Sequence, residues 1–257
     1  MLQKSRITAT AAVAGGLALL LSAGAALAQK PSPPTPQPES PAPVPPVLQS
    51  YKPVTAQELK QPADGEWPMY RRTYDGWGYS PLAGITPANV GQLKMVWTLE
   101  TGQVEGHQAP PIVRDGVMFV ATPGNQVLAV DAKAGNLLWR FKRPIPEDML
   151  LLHPTSRGVG LWGDKVYFAS ADAVLVALDA KTGKEVWKSK VEDYTHGYYM
   201  SLSPLVVDGV VMVGCSGGEL GVRGFVAAFD AETGKQLWRT YTVPAPGEPG
   251  SETWPKG

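Results

Sequence analysis

A turn sequence that occurs three times at regular spacing is the strongest constraint on the fold of this 257-residue chain. Each copy has an Asp, a Gly four residues later and a Trp four residues after that, and the copies begin at Asp131, Asp179 and Asp230. Successive copies are 48 and 51 residues apart. A period of this size is typical of a propeller blade built from four short strands.

Two runs of β-branched, aromatic and other apolar residues precede each turn. They span 117–121 and 126–130, 165–169 and 174–178, and 210–214 and 225–229. Their short length favours strands over helices. We expect each turn Asp to accept bonds from backbone amides, each turn Gly to be left-handed, and each Trp to pack between sheets. The sequence therefore predicts an all-β fold.

The third unit is longer than the first two. The distance from the turn Asp before the strand pair to the turn Asp after it is 16 residues in the first unit and 15 in the second. In the third unit, from Asp208 to Asp230, it is 22 residues, and the surplus falls in residues 216–223. The sequence thus predicts a Gly-rich loop, centred on Glu219, in an otherwise regular repeat.

The first 28 residues have the pattern of an export signal. Lys4 and Arg6 precede an apolar, Ala-rich run over residues 7–21, and the small-x-small triplet at 26–28 fits a cleavage site. We expect a cleaved signal peptide over residues 1–28. The alternative is an uncleaved membrane anchor, since about twenty apolar residues can span a bilayer.

A Pro-rich linker over residues 29–50 is expected to follow, with the folded domain over 51–257. Nine prolines lie between residues 31 and 46, which favours an extended tether. In the domain, Thr55 and Glu58 have capping-box spacing, and Thr86-Pro87 predicts a second helix start. Residues 94–98 are predicted to be a strand.

The aromatic segment over residues 67–82 has two interpretations. It can pack between blades, which we favour, or provide a surface for stacking sugars or bases. The 23 basic and 23 acidic residues balance, which removes the electrostatic case for nucleic acid or an anionic membrane as partner. Cys215 is the only cysteine, so no internal disulfide is expected, and a small buried residue is its predicted role.

Together these segments resemble the pyrroloquinoline quinone (PQQ) dependent alcohol dehydrogenases, the methanol and ethanol family of quinoproteins. The matching segments are 67–82, 102–113, 157–167, 216–224, 250–254 and the three turns. The loop sequence Ser-Gly-Gly-Glu-Leu-Gly-Val-Arg-Gly is the most specific of them. The resemblance implies a β-propeller of about eight blades when complete, roughly three to four of them present here, with PQQ and Ca²⁺ or a lanthanide in the central funnel.

The resemblance also implies roles for the loop residues. Glu219 would be a metal ligand, because a hard cation prefers carboxylate and carbonyl oxygens. Gly217 and Gly218 would let the backbone approach a flat cofactor closely, and the Ser216 hydroxyl would bind the cofactor. The alternatives are a solvated loop carboxylate for Glu219 and an ordinary strand serine for Ser216.

Two further residues match cofactor ligands of the family. Arg157 matches an arginine that pairs with a PQQ carboxylate, a role suited to a planar bidentate donor. Ser201 matches a hydroxyl that hydrogen-bonds the cofactor. The alternatives are a surface arginine at the end of a strand and a serine bonded to backbone.

The chain departs from the family pattern at several positions. Leu151 and Leu152 stand where many relatives have adjacent cysteines, so the disulfide that covers the quinone is absent. His153 instead resembles the sugar-oxidising branch, where a histidine approaches the cofactor; the alternative is a turn histidine. Gln108 stands where some relatives have a Glu that hydrogen-bonds PQQ.

The implied protein is an exported, periplasmic dehydrogenase that oxidises an alcohol, polyol or sugar by hydride transfer to metal-bound PQQ. Its electrons would pass to a c-type cytochrome or a membrane quinone. The catalytic Asp base is expected beyond Gly257, so this chain alone is expected to be inactive. A membrane-anchored form is the alternative localisation.

A different class of protein shares the repeats. Non-catalytic periplasmic propellers that act as envelope-assembly scaffolds have similar turns and tryptophans. Such a scaffold has no need for an opened loop with a central Glu, so we favour the enzyme.

Overall fold

The computed structural model describes residues 43–152 and 154–254, which form twelve strands and several short helices. The strands are β1 Ile112–Arg114, β2 Val117–Thr122, β3 Gln126–Asp131, β4 Leu137–Lys142, β5 Val159–Trp162, β6 Lys165–Ala169, β7 Val174–Asp179, β8 Glu185–Lys190, β9 Leu205–Val207, β10 Val210–Gly214, β11 Phe225–Asp230 and β12 Gln236–Tyr241. The α-helices are α1 Pro46–Gln49 and α2 Ala56–Lys60. Four 3₁₀ helices span Val90–Gln92, Tyr194–His196, Gly218–Leu220 and Ser251–Thr253.

The strands form three antiparallel sheets of four, each with its strands in chain order. We call them blade 1 (β1–β4), blade 2 (β5–β8) and blade 3 (β9–β12). Every strand pair inferred from the repeats is present as the second and third strand of a blade. The all-β propeller-type fold is therefore confirmed, with three blades in the described part of the chain.

The repeated turn joins the third and fourth strand of each blade and forms as expected. The Asp131 carboxylate accepts from the amides of Lys133 and Ala134 at 2.9 Å each, and the Gly135 amide donates to the Asp131 carbonyl at 2.8 Å. Gly135 has a φ of 75°, which glycine adopts without steric cost. The register shifts by one residue beside each of the three turns, so the blades share a β-bulge as well as a sequence.

The tryptophan that follows each turn packs on the turn of the next blade. The Trp139 ring covers Gly183 so closely that a Cβ added there would lie 2.6 Å from a ring atom. Its indole nitrogen donates to the Ala180 carbonyl at 2.9 Å. Trp187 repeats both contacts on blade 3, donating to Ala231 at 3.0 Å. The predicted packing between sheets is confirmed for these two tryptophans. Glycine is needed at the turn for two reasons, because its φ is positive and because the indole ring leaves no room for a Cβ.

The predicted strand over residues 94–98 was wrong. This segment has no strand pairing, and Met95 and Val96 are more than four-fifths exposed. Trp97 nevertheless packs on Gly135, and its indole nitrogen lies 3.3 Å from the Ala132 carbonyl. A β-strand needs a neighbouring segment as hydrogen-bond partner, and no described segment pairs with residues 94–98. These residues therefore form no strand, although their sequence has the pattern of one.

The predicted helix at Thr86-Pro87 was also wrong. The Thr86 amide donates to the Asn89 side chain at 2.7 Å, and a turn leads only to the 3₁₀ helix Val90–Gln92. A glycine inside that helix and an Asn that competes for backbone bonds explain why it goes no further. The capping box at Thr55 and Glu58 is confirmed, at the start of α2.

The packed part of the chain begins earlier than the boundary at residue 51. Helix α1 lies within the range predicted as linker, and its Leu48 is fully buried in the core of blades 1 and 2. Next to it, Tyr51 packs edge-on against Phe119 with ring centroids 5.9 Å apart. The predicted linker 29–50 is thus corrected at its C-terminal end, where α1 is part of the packed domain. Burial of the apolar Leu48 side chain stabilises this helix, whereas an extended tether would leave the side chain in water. The predicted signal peptide and the first part of the linker lie outside the described residues.

Among residues 43–152 and 154–254, no helix is both long and apolar enough to cross a bilayer.

The aromatic segment 67–82 lies partly against the blades. Trp67 bridges Val113 of β1 through backbone bonds and packs on the core. Tyr74 donates from its hydroxyl to the Val206 carbonyl of β9 at 2.7 Å. Trp77, by contrast, is 78% exposed. The prediction that this segment packs on the blades holds for its first half only.

Candidate functional site

The connections at one end of the blades carry Arg157, Ser201 and the loop residues 216–219 of the proposed site. At this end β2 and β3 are joined by 3 residues and β6 and β7 by 4, whereas β10 and β11 are joined by 10. The opened loop predicted from the spacing is therefore present in blade 3. The repeated turns lie at the opposite ends of the strands, so the tryptophan contacts and the candidate site occupy different ends of the fold.

Glycine geometry shapes the loop that carries Glu219. Gly217 has a φ of 120°, and a Cβ there would lie 2.3 Å from the carbonyl of Gly197. The next residues form the 3₁₀ helix Gly218–Leu220, in which the Leu220 amide donates to the Gly217 carbonyl at 2.8 Å. Glu219 is exposed at the tip of this turn. The loop thus presents one carboxylate on a backbone that only glycine at 217 permits.

Three of the proposed cofactor ligands form a chain of polar contacts. Arg157 Nη1 lies 2.5 Å from Ser201 Oγ, and Ser201 Oγ lies 3.5 Å from Ser216 Oγ. The Arg157 guanidinium also reaches the Ser201 carbonyl at 3.4 Å. The three residues come from the β4–β5 connection, the β8–β9 connection and the β10–β11 loop. The arrangement combines a fixed positive charge with hydroxyl donors.

One cavity of about 620 Å³ collects most of the predicted site. It is lined by Thr155, Arg157, Tyr199, Ser201, Ser216, Gly217, Gly218 and Glu219. Six of these eight residues were named from the sequence. The described structure thus brings the proposed cofactor ligands and the proposed metal ligand to one place, although their roles stay predictions.

Sequence reasoning missed two residues of the cavity, Thr155 and Tyr199. The Thr155 Oγ1 atom is buried and has no hydrogen-bond partner among the described residues. Tyr199 is 4% exposed, and its backbone pairs with Ser216 through bonds of 3.3 and 2.8 Å. Each precedes a named residue by two positions. In an extended segment such residues face the same side, so this spacing was a usable signal.

Tyr199 is electrostatically coupled to both charged groups of the cavity. Burial raises the pKa of its phenol, the negative charge of Glu219 raises the pKa further, and the positive charge of Arg157 opposes both. The phenol therefore stays protonated at neutral pH and can act as a hydrogen-bond donor.

Gln108 lies outside this cavity. It lines a neighbouring one of about 520 Å³ together with Trp67, Tyr70 and His107. A parallel bridge between His107 and Ser156 sets Gln108 and Arg157 each one residue beyond the paired positions. The backbone of Gln108 thus lies close to that of Arg157, but the Gln108 side chain does not line the cavity that contains Arg157. His153 lies outside the described residues.

The two leucines at the positions of the family disulfide differ in exposure. Leu151 is half-buried and Leu152 is 39% exposed. Cys215, the single thiol, packs against the core of blades 2 and 3 and is half-buried, less completely than predicted. Burial raises the pKa of this thiol, which makes it a poor nucleophile.

The donor set fits an anionic, planar cofactor better than it fits a complete metal site. The guanidinium and the hydroxyls suit carboxylate oxygens, and the Thr155 hydroxyl, which has no partner within 43–152 and 154–254, leaves a donor unused. In the described residues no three His, Cys, Asp or Glu side chains are grouped closely enough to hold a metal ion. Glu219 could therefore supply one carboxylate ligand, with the others coming from the cofactor or from elsewhere.

Comparison with known proteins agrees with the fold and with the sequence motifs. The family model described as "PQQ: Glucose/ethanol/alcohol dehydrogenase, beta-propeller domain" matches residues 67–257. Quinohemoprotein alcohol dehydrogenase ADH IIB of Pseudomonas putida is 44% identical over 188 residues, covering 71% of this chain and 27% of that protein. The dehydrogenase subunit of an alcohol dehydrogenase (quinone) from Gluconacetobacter polyoxogenes is 43% identical over 195 residues, covering 71% and 26%.

Solved structures give the same result. A europium-containing methanol dehydrogenase superposes with a TM-score of 0.69 at 34% identity, covering 74% of this chain and 34% of that one. The chain spans 27% and 26% of the two relatives named above, so it corresponds to about a quarter of their length.

Proposed function

Since the chain belongs to the family of PQQ-dependent glucose, ethanol and alcohol dehydrogenase β-propeller domains, we propose that it forms the cofactor-binding part of a dehydrogenase. The substrate class is an alcohol, polyol or sugar. When bound, PQQ supplies the carbonyl that accepts hydride from the substrate carbon. The names of the relatives, which are alcohol dehydrogenases, support this class.

The observation that carries the proposal is the polar chain of Arg157, Ser201 and Ser216 beside Glu219 in one cavity. In this proposal Arg157 binds a cofactor carboxylate, and its contact with Ser201 fixes the direction of the guanidinium. Ser201 and Ser216 donate to neighbouring oxygens. Gly217 and Gly218 leave room for a flat ring system next to the backbone.

Glu219 is the proposed protein ligand for a hard cation. The cation would be Ca²⁺ or a lanthanide, since both prefer oxygen ligands. The europium-containing methanol dehydrogenase supports a lanthanide as one option. The positive charge of this cation would neutralise the Glu219 carboxylate and would hold the cofactor against the loop. Because the cavity contains a single carboxylate, we assign no general base to the described residues.

Several features of the whole protein are part of the proposal. The signal-like residues 1–28 support export to the periplasm, with a membrane-anchored form as the alternative. The proposed electron acceptor is a c-type cytochrome or a membrane quinone, and the relative named alcohol dehydrogenase (quinone) supports the second. The scaffold function is the weaker candidate, because the 10-residue β10–β11 loop and its cavity have no role in it.

The test is a PQQ titration of the intact protein from its source. Binding is measured by the change in tryptophan fluorescence, with and without Ca²⁺. We expect saturable binding that Ca²⁺ strengthens. Glu219→Gln should remove the effect of Ca²⁺ and leave the metal-independent binding. Glu185→Gln, which removes an ion pair of 2.9 Å with Lys188 on β8, is the matched control and should change neither. If the wild-type protein shows no saturable binding, the enzyme proposal fails and the scaffold is favoured.

A further inference from the structure

Tyr199 is the largest side chain in the wall of the candidate site, and the proposed function gives it no role. It lines the same cavity as Arg157, Ser201 and Glu219, and only 4% of its surface is exposed. Two backbone bonds to Ser216 tie it to the loop that carries Glu219. Its position is therefore fixed relative to the loop and does not depend on a flexible segment.

The Tyr199 hydroxyl has no hydrogen-bond partner among the described residues. The neighbouring tyrosine provides a contrast, because the Tyr198 hydroxyl donates to the Arg223 carbonyl at 3.4 Å. Tyr198 also packs on Phe225, with ring centroids 5.9 Å apart, so its surroundings are those of an ordinary core residue. A phenol that lines a cavity and has no partner among the described residues keeps its O–H donor available for a ligand.

The charges around the Tyr199 phenol indicate what that ligand is. The Tyr199 side chain lines one cavity together with Glu219 and Arg157. It is a neutral donor, whereas Glu219 can only accept and Arg157 can only donate. A ligand oxygen that carries negative charge and contacts Arg157 would find a second donor in the phenol.

We infer that Tyr199 is a positioning residue of the cofactor site and that its hydroxyl donates to a carboxylate oxygen of the bound quinone, on the side held by Arg157. This inference rests on the proposed function, since it names a contact within that same site. A planar tricarboxylate offers several such oxygens. A phenol held by two backbone bonds would add a fixed donor to those of Arg157 and the two serines and would further restrict the orientation of the plane.

The inference makes two opposite predictions for Tyr199→Phe. Without cofactor the variant should be as stable as the wild type or more stable, because the lost hydroxyl makes no hydrogen bond to a described residue. Its affinity for PQQ should fall about tenfold to hundredfold, as expected for a lost hydrogen bond to a charged group. A purely structural role would lower stability and leave affinity unchanged.

The experiment measures thermal unfolding of the cofactor-free intact protein and PQQ affinity by fluorescence titration for the wild type, Tyr199→Phe and Tyr198→Phe. Tyr198→Phe is the matched control and should retain wild-type affinity. Equal PQQ affinity of Tyr199→Phe and the wild type, or a clear loss of stability in Tyr199→Phe, would overturn the inference. If the wild type itself does not bind PQQ, the proposed function is wrong. This result differs from the two that overturn the inference alone, since both of those require a wild type that binds PQQ.

Discussion

Arg157 Nη1 lies 2.5 Å from Ser201 Oγ, although the two residues are 44 positions apart in the chain. This contact joins the β4–β5 connection to the β8–β9 connection at the loop end of the blades. Arg157 is otherwise exposed. It therefore holds a charge ready at the cavity with little role in packing.

Replacing Arg157 by Lys should weaken PQQ binding about tenfold or more. A lysine keeps the charge but loses the planar pair of donors that matches a carboxylate. The melting temperature should not change, because the arginine is exposed. Fluorescence titration and thermal unfolding of Arg157→Lys check both expectations. Arg140→Lys, an exposed position on β4, is the control, and an equal loss of affinity there would contradict a specific role for Arg157.

Two adjacent glycines in the loop should respond differently to alanine. Gly217→Ala introduces a Cβ 2.3 Å from the Gly197 carbonyl at a φ of 120°, so we expect a loss of about 1–3 kcal/mol or more. Gly218 has nothing within 4 Å of an added Cβ, and Gly218→Ala should stay within about 0.5 kcal/mol of the wild type. Chemical denaturation of the two variants gives the comparison. Equal stability of both would show that the loop backbone is free to rearrange.

The tryptophans of successive blades should differ in their contribution to stability. Trp139 is 9% exposed and bonded to the next blade, so Trp139→Ala should cost about 3–5 kcal/mol. Trp238 occupies the same place in blade 3 but is 44% exposed. In the 257-residue chain, Trp238→Ala should cost much less. Unfolding free energies from denaturant titration test this order, and a reversal would mean that the packing between blades does not depend on the indole rings.

Lys165 should make stability depend on pH at both extremes. Burial lowers the pKa of its ammonium, but hydrogen bonds to Asp164 and Glu232 outweigh this and raise the pKa above its ordinary value. The hydrogen bond from Lys165 lowers the pKa of Asp164, outweighing the effect of burial. The lysine contribution is therefore complete below about pH 10 and lost as the pH rises through its raised value. The aspartate contribution is present above about pH 4 and lost as the pH falls towards its lowered value.

Lys165→Met should flatten both limbs of this profile. Both carboxylates remain hydrated, since the side chains of Asp164 and Glu232 are 58% and 63% exposed, so the variant should fold. Denaturation midpoints between about pH 2.5 and 11 provide the measurement. Lys188→Met, which loses only an exposed pair with Glu185, is the control and should keep the wild-type profile.

The repeats were readable because their interactions are local. The Asp131 carboxylate bonds to amides two and three residues away, so one short pattern specifies the turn, and counting between turns reveals the added loop. The segment 94–98 has a strand pattern but no partner among the described residues, and pairing is not encoded locally. The burial of Leu48 was not predicted, because it directly follows a Pro-rich region whose composition favoured an extended tether.

The site was only partly predictable for a similar reason. Residues of the loop and Arg157 stood out by their motifs. Tyr199 belongs to the site because its backbone pairs with Ser216 in an isolated bridge, a pairing that no local motif specifies; in the sequence only its position two residues before Ser201 indicated it. Thr155 faces the same cavity from another connection.

The separation of the two ends of each blade has a consequence for how this fold can acquire functions. Connections of 3 and 4 residues in blades 1 and 2 stand where blade 3 carries its 10-residue loop. The tryptophan contacts lie at the other end, so lengthening either short connection would leave them intact. The short connections are nevertheless packed, because Asn125 of the β2–β3 connection bonds to the Asp172 carboxylate and to the Ala171 amide of the β6–β7 connection. Grafting residues 215–224 into the β6–β7 connection should therefore lower the free energy of unfolding. A new binding loop in this fold is in this sense limited by the bonds between neighbouring connections, such as the Arg143–Asp172 ion pair at 2.6 Å.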